Sequence, residues 1–209
     1  MRPGGASERL QPSVARWFDA RVSDAAVAQA PTTGKRPARW LALPIALFAV
    51  VSLTAGLLAD HEPRSKGYFD LVFSDPIHMK AWLATVAVAL ALFQLFTAAW
   101  IFRKLPWSKP AWVNPAHRWS GRLAFVATLP VAYHCIFKLG FEDATTRVLW
   151  HSLLGCAFYG AYVAKVTIVR LRRFPGPTLP IAGGLVFAVL IGVWWTSARW
   201  FFDQVGLGF

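Results

Sequence analysis

The sequence predicts an all-α integral membrane protein with five transmembrane helices, the second to fifth forming an up-down four-helix bundle. Three observations lead there. Of the 209 residues, 56% are hydrophobic and only 15% charged, more apolar surface than a soluble core of this size needs. From Trp40 onward come five apolar stretches, each of about 20 residues or more and long enough at ~1.5 Å per residue to cross a ~30 Å hydrocarbon layer. The net charge of +12 comes from Lys and Arg at the ends of those stretches rather than from a basic stripe with interleaved polar residues. The lipid bilayer, not nucleic acid, is therefore the expected partner.

Residues 1–39 are rich in Ala, Pro, Gly, Ser and Arg and cannot bury a core, which predicts a disordered basic tail. Within it, Val14, Trp17, Phe18 and Val22 recur at helical spacing, as in a short surface helix or a frayed one. The first apolar run starts too late for an ordinary secretory signal, so this segment is expected to stay with the mature protein. The transmembrane domain then occupies 40–209.

The first segment is 40–59. The second, 78–102, has no Pro or Gly and reads as the clearest helix. The third, 117–139, carries Pro130, which removes one backbone donor and predicts a kink one turn before His134. The fourth, 148–169, carries Gly155 and Gly160, where another helix or a flat ligand can approach the backbone. The fifth, 179–202, ends in an aromatic belt of Trp194, Trp195 and Trp200.

Orientation follows from the basic residues. The tail, the 102–122 connection and the 165–179 connection hold 16 of the 22 Lys and Arg. This places the chain in the cell membrane as a multi-pass protein, its N-terminus cytoplasmic and its C-terminus external. Seven of the ten acids, Asp60, Glu62, Asp70, Asp75, Glu142, Asp143 and Asp203, fall on the external side. Lys165, close to the inner end of the fourth segment, is expected to snorkel to the surface.

Several classes of chemistry are excluded by what the segments lack. No carboxylate lies in a helix centre, as a proton-coupled carrier would need. There is no P-loop, HExxH or nucleophile motif, and no catalytic residue is assigned. Cys135 and Cys156 lie inside apolar segments without CxxC spacing and read as small buried residues.

The histidines remain. With this topology His78, His134 and His151 sit on three segments at one depth on the external side, while His61 lies in the first external loop and is expected to be solvated. His117 opens the third segment at the inner face, 17 residues before His134 and hence about 25 Å from it, so the two cannot share a site. An imidazole at such a position is either an interfacial group bonded to a carbonyl or headgroup, or a ligand of haem iron or another metal. Two axial imidazoles hold their helix axes roughly 14 Å or more apart, whereas neighbouring helices pack at about 8–10 Å. Diagonal helices of the bundle suit such a pair, which selects the second with the fourth: His78 and His151 become the axial candidates. His134 is left as a second-shell or alternative ligand, and His117 without a partner, because the fifth segment has no histidine.

HRWSGRLAFVATLPVAYHC (117–135) resembles the histidine-bearing helix of the cytochrome b561 and ferric-reductase-like membrane cytochromes, with an H-R-x-x-G start before a long apolar run and a second histidine. The resemblance covers 78–169 and matches His117, Arg118, Gly121 and His134. It implies haem b held between alternate helices, one haem near each face, with His78 and His151 as one such pair. The 17-residue interval departs from the about 13 or 14 that would place both histidines on one face. Together these imply a membrane-bound b-type cytochrome-like redox protein with one bis-histidine haem near the external face, exchanging electrons with quinol or another redox protein. The rival reading is a non-catalytic accessory or assembly protein without cofactor. The chain is also similar to uncharacterised small polytopic membrane proteins of high-GC bacteria, a resemblance that implies no activity.

Overall fold

The computed structural model describes residues 38–171 and 174–206. The tail up to residue 37, including the Ser13–Val22 stretch, lies outside the described residues. Among the described residues every regular element is helical. After a 3₁₀ turn over Ala38–Leu41 come α1 (Ala42–Leu58), α2 (Pro76–Ile101), α3 (Val113–His134), α4 (Thr146–Leu171) and α5 (Thr178–Trp194). A π turn over Cys135–Leu139 prolongs α3; another over Trp195–Arg199, followed by Trp200–Val205, prolongs α5. All five helices are long and apolar enough to cross a membrane. Their large exposed side chains are those lipid would cover, among them Leu53, Leu57, Leu123 and Ile181.

Local signals account for the helix ends. α2 starts at Pro76, two residues before His78, because Asp75 caps it: the carboxylate accepts from the amides of Ile77 at 2.8 Å and His78 at 2.9 Å, and proline fits the first helical position. α3 starts at Val113, four residues before the expected His117. Pro115 does not prevent this, since the first four amides of a helix need no intrahelical partner. Downstream, α3 runs through Pro130 as one helix up to His134.

Helices α2 to α5 form the four-helix bundle, and its pairs are unequal. α2 packs along α3 and against α5, and α4 packs against α5. Val88, Phe158, Val189 and Leu190 make the central core of α2, α4 and α5. The α2–α5 seam is built from Ala81, Ala84 and Ala198, with the Trp194 indole N–H donating to Thr85 Oγ1 at 2.9 Å. α3 and α4 meet instead through side chains: the Tyr159 hydroxyl donates to Thr128 O at 3.1 Å, and the Phe125 and Tyr162 rings stack at 4.2 Å. α1 lies along α4, where Gly160 brings the backbone against Phe48 and Ser52.

The loop from 60 to 75 folds over the end of α3. Arg64 N–H donates to Lys138 O at 2.8 Å, and Phe141 N–H donates to Ala59 O at 2.7 Å. Gly140, at φ 84, allows the backbone to turn beside the carbonyls of Ala59 and His61. The looseness between α3 and α4 and this folded loop together define the space at the His151 end of the bundle.

Candidate functional site

That space is a cavity of about 380 Å³ between α2, α3, α4 and α5. Its position has two local causes. A π turn carries an extra residue in its i→i+5 bond, here Gly140 N–H to Cys135 O at 3.0 Å, and so swings the helix wall outward. Both π turns border the cavity, through Cys135, Ile136 and Leu139 on one side and Ser197 and Ala198 on the other. In addition, the residues that could fill it are small: Ala81, Ala198 and Gly155 line the space, and a Cβ added at Gly155 would meet nothing within 4 Å.

His151 lies in this wall, one turn above Gly155. Its Nδ1 is 3.3 Å from Thr196 Oγ1. The Thr196 hydroxyl has one proton, and that proton points back along α5 to Gly192 O at 2.8 Å or Val193 O at 3.1 Å. With that proton so placed, Thr196 Oγ1 accepts from His151 Nδ1–H, the tautomer in which a neutral ring keeps a lone pair on Nε2. One turn earlier on α4, Arg147 lies 3.9 Å above the Trp200 ring and donates to Thr196 O at 2.6 Å. Ser152 holds the opposite rim, donating to Glu142 O at 2.9 Å and accepting from Glu142 N–H at 3.2 Å. The result is a mostly apolar pocket that also has Lys80, Glu142, Arg147, Ser152 and Ser197 in its lining, with the His151 imidazole in its wall.

His78 is engaged elsewhere. Its Nδ1 is 2.5 Å from Asp75 Oδ2, and its ring stands edge-on to Phe201 with centroids 5.0 Å apart. Phe201 lines the cavity and His78 does not. Asp75, just outside the span, has its carboxyl held below the ordinary value: the His78 amide is the main cause, helped by the His78 ring and the Ile77 amide and opposed by burial.

His134 is fully buried and structural in its bonding. Nδ1–H donates to Pro130 O at 2.9 Å, and Nε2 accepts from Phe69 N–H at 3.2 Å, so both nitrogens are used. Tyr68, Phe69 and Tyr133 pack around the ring. Its work is to fasten the 60–75 loop.

His117 sits at the opposite end of the bundle. Its Nδ1 is 2.8 Å from Thr97 Oγ1, its carbonyl accepts from Gln94 Nε2, and Gln94 Oε1 accepts from Lys165 Nζ at 3.4 Å. Lys165 therefore reaches sideways to α2 instead of snorkelling to the surface. The stem is long enough for either, and the Gln94 amide beside it supplies an acceptor.

The bonding of His61 is what sequence reasoning missed. Expected to be solvated, the ring is bound: Nδ1 lies 2.8 Å from Glu62 O, and Nε2 lies 2.8 Å from Ile136 O on the π turn. A glycine closing a helix two residues after a lysine, as in FKLG, signals the end of α3 but not which donor covers its carbonyls.

A bis-histidine haem does not fit this donor set. The cavity offers one imidazole nitrogen, from His151, and His78 packs onto a wall residue. Among the described residues, no group of three or more His, Cys, Asp and Glu gathers as a metal site.

Over residues 40–209 the chain matches, and belongs to, a family of unknown function, DUF6529. No curated protein and no solved structure matches it.

Proposed function

We propose that the protein binds a lipophilic molecule with a hydroxyl-bearing ring head, of the quinol class, in the cavity at the His151 end. With the cytoplasmic N-terminus that the basic residues favour, this cavity opens on the external half of the bilayer. One observation carries the reading: His151, its Nδ1 beside Thr196, lines a mostly apolar space that small residues on α2, α4 and α5 leave open, and its Nε2 is the proton acceptor proposed to meet the ligand. A quinol O–H can donate to that nitrogen, whereas the carbonyl oxygen of the oxidised quinone cannot. The size suits a ring head and the start of its tail, at the lower end of ordinary small-molecule pockets of roughly 300–1,000 Å³.

The test is equilibrium binding of a short-chain quinol and of its quinone to the protein in nanodiscs. The wild type binds the quinol about 2- to 10-fold more tightly than the quinone, as one net hydrogen bond of about 0.5–1.5 kcal/mol predicts. His151→Leu removes that preference, and Gly155→Leu, which fills the cavity, removes binding of both forms. Equal binding by all three proteins refutes the proposal. A reduced-minus-oxidised haem spectrum on the same samples tests the cytochrome reading: a b-type band lost in His151→Leu and kept in His78→Leu would assign iron to the single ligand. Absence of both band and binding would favour the non-catalytic accessory reading.

A further inference from the structure

A neutral imidazole has one N–H and one lone pair, so it can satisfy one carbonyl oxygen and not two. His61 faces two: Glu62 O at 2.8 Å from Nδ1 and Ile136 O at 2.8 Å from Nε2. Only the imidazolium, with a donor on each nitrogen, makes both bonds. A neutral ring would set a lone pair against a carbonyl at one end. The location favours the same charge state, because Ile136 O belongs to the C-terminal turn of α3, where backbone carbonyls carry partial negative charge and a cation is stabilised.

We propose that His61 is a proton-operated clasp: its protonated ring ties the 60–75 loop to the π turn of α3 and so closes the wall of the His151 cavity, and loss of that proton releases it. The gating consequence rests on the ligand-binding reading above; the clasp itself does not. The bond lies within a stitched region: Arg64 N–H to Lys138 O and Phe141 N–H to Ala59 O flank it. Ala59, Ile136, Leu139, Gly140 and Phe141 are all cavity wall, so the bonds that hold the loop also hold the wall. The charged groups on the elements packed here are Asp60, Glu62, Arg64, Lys66, Asp70 and Asp75 on the loop, Lys138 on the π turn, and Glu142 and Asp143 beyond Gly140. Lys138 is directed away onto the Tyr133 ring, its Nζ 5.2 Å from the centroid. The sign follows directly. The closed wall holds a proton that the released loop does not need, so closure is favoured as pH falls.

Hydrogen–deuterium exchange on the full chain in nanodiscs, corrected for the intrinsic pH dependence of exchange, reads this without any ligand. In the wild type, peptides containing the Arg64 and Phe141 amides are protected about tenfold more at about pH 5 than at about pH 8, as expected for loss of a charge-assisted bond. His61→Gln, which cannot donate from two ring nitrogens or carry charge, shows low protection at both. His61→Lys, permanently charged, shows no pH step. A wild-type profile without a step, or a His61→Gln profile that keeps the wild-type step, overturns the clasp. His151→Leu separates the two proposals: it must keep the exchange step while losing the quinol preference. A missing step in a wild type that binds quinol would sink the clasp alone, and a step without quinol binding would sink only the ligand reading.

Discussion

Gly160 and Gly155 lie five residues apart on α4, and the same substitution should act on them with opposite sign. At Gly160 an added Cβ would come 2.5 Å from Phe48 O and 3.2 Å from Phe48 C, as well as against Ser52 Oγ. The Phe48 atoms are backbone, so no rotamer change relieves them. Restoring an ordinary 3.4 Å contact requires α1 to move out by about 0.9 Å. Forcing a packed seam apart in this way costs about 1–3 kcal/mol, outweighing the ~1 kcal/mol by which alanine exceeds glycine in helix propensity. At Gly155 nothing lies within 4 Å of the added Cβ, so Gly155→Ala keeps the propensity gain and meets no clash. In thermal unfolding monitored by tryptophan fluorescence in one detergent, at about 2–4 °C per kcal/mol, Gly160→Ala should melt several degrees below the wild type. Gly155→Ala should melt level with it or higher. A Gly160→Ala protein as stable as the wild type would refute close α1–α4 packing, and a destabilised Gly155→Ala would refute the open space beside it.

Asp75→Ala removes the cap of α2 and should cost about 0.5–2 kcal/mol at neutral pH. Because the Asp75 carboxyl is held below its ordinary value of 3.8, the wild type's advantage is full above that value and shrinks as pH falls through the lower folded one. Melting curves of both proteins across the acid range check this, and a gap that stays constant would contradict it. His134→Ala empties a fully buried site and strands the Phe69 amide, for an expected loss of about 2–5 kcal/mol; thermal stability within about 0.5 kcal/mol of wild type would show that His134 does not fasten the loop.

The spans were legible because hydropathy over some 20 residues survives any detail of packing. Where the boundaries moved, as at Val113, a local rule about unpaired first-turn amides outweighed the end of the apolar run. That His78 and His151 share an end of the bundle could also be read, since depth depends only on counting residues. Which way each ring faces could not. Rotation about the helix axis is set by partners, and the π turns at Cys135–Leu139 and Trp195–Arg199 each insert a residue that no simple 3.6 periodicity anticipates. His61 escaped notice for a related reason. Its partners are main-chain carbonyls, and every residue type has those, so no sequence pattern marks them.

The same small device occurs at both ends of the bundle. Thr97 sends its hydroxyl proton back along α2 to Phe93 O and accepts from His117, as Thr196 sends its own back along α5 and accepts from His151. In each case a threonine on one helix meets Nδ1 of a histidine on the next, so the imidazole setting is alike and cannot by itself explain why one end would have a ligand. The surroundings differ. Around His117 the gap left by Gly121 is filled by the Gln94 side chain, whose amide is used up by the His117 carbonyl, Ser120 Oγ and Lys165 Nζ. Around His151 the gap left by Gly155 is empty, and the widened turns of α3 and α5 keep it so. One end is a completed polar tie between α2, α3 and α4, with its donors spent inside the protein. The other presents an acceptor to a space that the protein does not fill.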